Sequence, residues 1–130
     1  MRRRRHRRPL QPTAGLVVYL AAAAGAGRLV TYGELARECG GAARGQGARL
    51  TALALRCRAI GAPLLPVLVI NAANRLPNLR AEVYLSQGLT TRGAILAEQA
   101  RCFEHRWAAD LPRLTALQSS GPDAVQIGTV

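Results

Sequence analysis

Guanidinium groups are the side chains of this sequence best equipped for chemistry: 18 basic residues, every one an arginine, stand against 7 carboxylates, for a formal net charge of +11. Arginine offers a planar fork of donors that suits phosphate oxygens and the edge of guanine. Two groups of them are set apart. Arg2, Arg3, Arg4, Arg5, Arg7 and Arg8 fall within the first eight residues. Such an arm could follow a nucleic-acid backbone or groove and add salt-dependent affinity by releasing counterions. A charged tail with no ligand, or a misplaced start codon, accounts for the same run. Farther along, Gly45, Arg49, Ala52, Arg56 and Ala59 share one stripe at helical spacing. Two guanidinium groups then stand over very small side chains, and that face can approach another molecule closely. Exposed helical arginines that merely face water are the plain alternative.

Other reactive residue types are not grouped for catalysis. Cys39, Cys57 and Cys102 are odd in number and far apart, with none of the spacings that mark a zinc site or a disulfide framework. They read as reduced, partly buried thiols of a cytoplasmic protein. His6 and His105 are isolated. No nucleophile triad, phosphate-binding glycine loop, dinucleotide fingerprint or productive carboxylate pair occurs. The expectation is a protein without catalysis, metal or cofactor.

The elements that must position the arginines follow from periodicity and caps. A chain of 130 residues can bury one core but would leave two halves too small to stand alone. One domain over residues 13–118 is expected, between a solvated arm (1–12) and a solvated tail (119–130). The apolar run Gly15 to Ala26 is too short to span a bilayer, which needs about 20 apolar residues. Behind the arginines it has the outline of a secretory signal, but Pro9, Gln11, Pro12 and Thr13 separate charge from apolar run. It reads better as a first helix, Ala14 to Ala24, capped by Thr13, burying Leu16, Val17, Leu20 and Ala24 and stopped by Gly25 and Gly27. Thr31 and Glu34 have the capping-box spacing and predict a second helix with Tyr32, Leu35, Ala36 and Cys39 on one face, ended by Gly40 and Gly41. A third helix, Arg44 to Ala59, buries Leu50, Leu53, Ala54 and Cys57.

Beyond Gly61, Pro63 and Pro66, the continuous run Val67 to Ile70 predicts a buried strand. Asn71 to Pro77 is then a turn with Arg75 at its tip, placed for a phosphate contact; Asn71 and Asn74 are ordinary turn residues. Ala81 to Leu85 would be a return strand. Thr90 or Thr91 caps a helix to about Arg106 that buries Ile95, Leu96, Cys102, Phe103 and part of Gln99. Phe103 and Trp107 anchor it, and a short helix can follow Asp110. The fold class is mainly α with a small β hairpin, in the order of a winged helix-turn-helix.

Within that order, GRLVTYGELA (Gly27 to Ala36) and ARLTALAL (Ala48 to Leu55) resemble the DNA-binding domain of the O6-alkylguanine-DNA alkyltransferases and the alkyltransferase-like proteins. The similarity covers about residues 15–77. It implies that Thr31 and Tyr32 stand where the family contacts DNA phosphate and rotates a nucleotide, and that Arg49 matches the arginine that fills the gap left by a flipped base. The transferases carry Pro-Cys-His-Arg on the following strand, and this chain has Pro66, Val67, Leu68 and Val69 there. Those side chains can neither attack an alkyl group nor relay a proton. The C-terminal half, GAPLLPVLVINAANRLPN and EQARCFEHRW, also resembles small uncharacterised bacterial proteins, which imply no activity.

The functional expectation is a cytoplasmic, non-catalytic protein that binds duplex DNA, mainly by its backbone. The contacts would come from the third helix (Gly45, Arg49, Ala52, Arg56), the Thr31/Tyr32 turn, Arg75 and the arm (Arg2, Arg3, Arg4, Arg5). RNA fits the same features. The rival is a protein-interaction module on a helix-turn-helix scaffold, in a bacterial defence or mobile-element setting. A nucleic-acid mimic would need the opposite charge.

Overall fold

The computed structural model describes residues 14–41 and 46–115. Helix α1 (Ala14–Gly25) has no charged residue and buries Leu16, Val17, Leu20, Ala21, Ala23 and Ala24. Gly27 ends it in the left-handed region at φ 66°, a conformation open to glycine because it has no Cβ to clash. The amide of Arg28 then donates to the Ala23 carbonyl at 2.9 Å, satisfying an acceptor that the helix end leaves over. Strand β1 (Val30–Thr31) follows and leads straight into α2 (Tyr32–Cys39). The capping box forms as the spacing predicts: the Thr31 hydroxyl accepts from the Glu34 amide at 3.1 Å, and the Glu34 carboxylate accepts from the Thr31 amide at 2.8 Å. The bond from the Thr31 amide, with the charge of Arg28, holds the Glu34 carboxyl below its usual range.

Helix α3 (Gln46–Ala59) buries Leu50, Leu53, Ala54 and Cys57, the apolar stripe read from its periodicity. After it, every residue from 62 to 70 is buried. This stretch is irregular backbone: extended at first, then a 3-10 turn over Leu65–Leu68, then strand β2 (Val69–Ile70). Irregular backbone in a core needs hydrogen-bond partners from elsewhere. Helix α5 (Arg92–Glu104) supplies them through side chains. Glu98 accepts from the Leu64 amide at 2.7 Å, Gln99 donates to the Val67 carbonyl at 2.9 Å, and the Cys102 thiol donates to the Leu64 carbonyl at 3.5 Å. Glu98 and Gln99 are the buried polar residues of α5, and each bonds a backbone group of this segment.

Strand β2 pairs with β1 in parallel, Val30 opposite Val69 and Thr31 opposite Ile70. The mainly helical class is as expected, and the β component differs. The return strand read at Ala81 to Leu85 is the one-turn helix α4 (Glu82–Leu85). Its Val83 and Tyr84 are buried side by side while Leu85 is 46% exposed, a helical pattern rather than an alternating one. Strand β2 takes its partner from the start of the chain instead. Of the run Val67 to Ile70, only Val69 and Ile70 are strand, because Pro66 lies in the 3-10 turn and lacks an amide hydrogen for a ladder.

Of the two threonines, Thr91 caps α5, its hydroxyl accepting from the Ala94 amide at 3.1 Å. The helix ends at Glu104 rather than near Arg106, and Leu96, expected inside, is 50% exposed. Trp107 does anchor the end of α5: it is buried, and its indole N–H donates to the Cys102 carbonyl at 2.8 Å. Phe103 packs half-buried against the core. Residues 111–115 are helical and seat the fully buried Leu114. The expected arm, the tail and Thr13 lie outside the described residues.

Candidate functional site

Helix α3 carries Arg49, Arg56 and Arg58 and no carboxylate. Its core side is filled by Leu50, Leu53, Ala54 and Cys57, so the remaining arc carries small side chains between arginines. Ala48 and Ala59 are exposed, Ala52 is half-buried and Leu55 is 44% exposed. The expected stripe is present for Arg49, Ala52 and Arg56, while Gly45 lies outside the described residues. Both stripe arginines are half-buried rather than fully extended into water. Arg49 donates to the Gly40 carbonyl at 3.4 Å, beside Gln46, which donates to the same oxygen at 3.0 Å. Gly40 caps the C-terminal end of α2, where the helix dipole favours a cation. On the opposite flank the exposed Arg58 donates to the Ser86 hydroxyl at 3.4 Å.

Thr31 and Tyr32 have structural partners of their own. The Thr31 hydroxyl serves the capping box, and the Tyr32 hydroxyl accepts from the Asn78 amide at 2.8 Å. Tyr32 is half-buried, and burial pushes its phenol up. That bond ties the 71–81 segment to the start of α2. Arg75 stands exposed at the tip of a closed turn: its amide donates to the Asn71 carbonyl at 2.8 Å, and the Asn71 amide to the Leu76 carbonyl at 2.8 Å. The side chains of Asn71 and Asn74 accept from the amides of Ala73 and Leu76 at 2.8 and 2.9 Å. Arg75 is held at φ 61°, a left-handed conformation that costs a non-glycine residue about 1 kcal/mol. Arg2, Arg3, Arg4 and Arg5 lie outside the described residues.

Between the first turns of α3 and the 71–81 segment lies an open cleft of about 900 Å³. Gly47, Leu50 and Thr51 form one wall, residues 71–81 the other, and Tyr32, Pro66 and Tyr84 close the ends and floor. Among the described residues, no carboxylate lines it. Reading the residues singly as turn formers passed over Asn71, Asn74, Asn78 and Arg80. The available signal was composition: three asparagines and two arginines without an acid in residues 71–80.

The cysteines are poor nucleophiles. Burial pushes the Cys57 thiol up to about 12 and the Cys102 thiol up as well; Cys39, half-buried, is raised by burial and by Glu38. A thiolate is the reactive form, so a maleimide is expected to modify Cys39 of the folded protein first and Cys57 and Cys102 only on unfolding. Mass spectrometry of the labelled chain checks this, and rapid native labelling of Cys57 would contradict the burial argument. A raised folded-state value also means that the stability these thiols share is full below their ordinary 9.0 and is lost as pH rises above it. The urea midpoint is therefore expected to fall between pH about 9 and 11.

Among the described residues, no three His, Cys, Asp or Glu side chains group so as to hold a metal ion. His105 pairs with Asp110 at 2.5 Å and meets the edge of Trp107, securing the turn after α5. No helix of the described residues is long and apolar enough to cross a membrane. Compared with known proteins, the chain matches no protein-family model, no curated protein and no solved structure.

Proposed function

We propose that this chain is a non-catalytic, cytoplasmic bacterial DNA-binding protein of alkyltransferase-like type, with α3 against the duplex. The observation that carries the reading is the outer arc of α3: three arginines, no carboxylate and small side chains between them. Small side chains let the helix approach a groove wall, and the flanking guanidinium groups reach phosphates or guanine edges. Arg75, exposed at its turn tip, adds a phosphate contact, and the basic arm adds affinity through counterion release. The resemblance of Gly27 to Ala36 and Ala48 to Leu55 to alkyltransferase DNA-binding domains supports the same docking. The apolar residues Pro66 to Val69 supply no nucleophile, so the reading is binding without alkyl transfer.

The test is a fluorescence-anisotropy titration of the full chain against duplex and single-stranded DNA and RNA over a salt series. Arg49→Ala is expected to weaken duplex binding, and removal of residues 2–8 to lower both affinity and salt slope. If both variants bind as the parent does at the same salt, the reading fails. Leu55, exposed in the middle of the small-residue arc, favours the second reading, a polypeptide partner docked on α3. Its mark would be a stoichiometric partner that survives nuclease treatment and is lost in Leu55→Glu.

A further inference from the structure

We propose that the cleft between α3 and the 71–81 segment is a binding site for a small organic oxyanion, a carboxylate or phosphate ester on a ring-sized apolar body. A volume of about 900 Å³ is in the range of small-molecule sites. Its floor is apolar, with Leu50 and Tyr84 each 3% exposed and Pro66 buried. Its rim is rich in donors. Because the side-chain oxygens of Asn71 and Asn74 already accept from the amides of Ala73 and Leu76, each asparagine keeps its NH₂ group for a ligand. Tyr32 accepts from the Asn78 amide and so keeps its own hydroxyl proton to donate; burial keeps that phenol protonated at ordinary pH. Arg80 adds a guanidinium, and among the described residues no carboxylate lines the cleft to neutralise it.

A site that offers donors and one positive charge above an apolar floor selects a ligand that brings acceptors, negative charge and a hydrophobic body. A cationic ligand finds no counter-charge among the lining residues, and a purely apolar one leaves the rim donors unpaired. The cleft shares Tyr32, one side of α3 and the Arg75 turn with the DNA reading, but none of Arg49, Arg56 and Arg58 lines it, so loss of small-anion binding and loss of DNA binding are separately measurable. Gly47 offers a way to close it. A Cβ built there meets no atom within 4 Å, so a larger side chain can enter the cleft without displacing the backbone and favours the helix over glycine.

The experiment is a nuclear magnetic resonance titration of the isotope-labelled full chain with naphthoate, naphthyl phosphate and neutral naphthol. The anions are expected to shift the amides of Thr51, Asn74, Asn78 and Arg80 saturably, with naphthol about tenfold weaker or more. Whichever anion binds tighter identifies the headgroup as carboxylate or phosphate. Arg80→Ala is expected to weaken the anions about tenfold, and Gly47→Leu to abolish binding while the spectrum stays that of the folded chain. The proposal is overturned if naphthol binds as tightly as the anions, if the shifts fall outside the cleft, or if Gly47→Leu binds as the parent does.

Discussion

Glu98→Ala is expected to cost about 3 kcal/mol of folding stability, on a domain whose whole margin is about 5–15 kcal/mol. Glu98 is 7% exposed, and its carboxylate is the acceptor for the Leu64 amide at 2.7 Å. Leu64 lies inside the stretch 62–70, every residue of which is buried, so removing the acceptor strands an amide that water cannot reach. Two comparisons separate this cause from loss of charge. Glu98→Gln keeps an acceptor oxygen and is expected to cost about 1 kcal/mol. Arg101→Ala removes the partner of Glu98 at 3.1 Å, but that arginine side chain is 61% exposed, and exposed ion pairs contribute about 0–1 kcal/mol. Urea midpoints for the three variants give the order. Equal losses in Glu98→Ala and Arg101→Ala would assign the effect to the ion pair and defeat the argument.

Removing Arg49, Arg56 and Arg58 together is expected to lower affinity for duplex DNA on the order of a hundredfold and to flatten the salt dependence by about 2–3 units of log–log slope. Each phosphate contact contributes about 0.9 to that slope through counterion release, so three contacts account for the change. The charge-matched control is Arg92, Arg106 and Arg113, all exposed and none on α3. If binding were a diffuse response to net charge, the two triple variants would lose affinity equally. A loss confined to the α3 variant places DNA on that helix; equal losses remove α3 from the interface. Because Arg49 also bonds the Gly40 carbonyl at the end of α2, a melting curve of the triple variant is needed to show that the fold is retained.

Much of the fold was legible before any contact was known, and the legible parts share a physical character. The capping box of Thr31 and Glu34, the Thr91 cap and the stop at Gly27 each rest on hydrogen bonds spanning a few residues, so neighbouring residues determine them. The buried faces of α1 and α3 rest on the 3.6-residue period, which also needs only the local chain. Of the candidate site, the arginine stripe was legible for that reason, since helical spacing places Arg49, Ala52 and Arg56 together wherever the helix docks. The closed turn at Arg75 belongs with them.

What the tertiary structure alone decided depends on bonds between distant residues. The segment 81–85 has a composition that suits a strand, yet it forms α4, and β2 pairs with Val30 and Thr31 instead. Leu96 is apolar and correctly phased, but among the described residues no element covers it. Tyr32, which lines the cleft, holds Asn78 on its far wall at a separation of 46 residues, and Glu98 holds the buried Leu64 at 34. Thus the sequence by itself determined the helices, their caps and the charge on α3, while the pairing of β2, the fate of residues 81–85 and the donor-lined cleft were decided in three dimensions. The physical reason is that local hydrogen bonds and helical period act over one or two turns, whereas a cavity is formed by chain segments that meet only when the core closes.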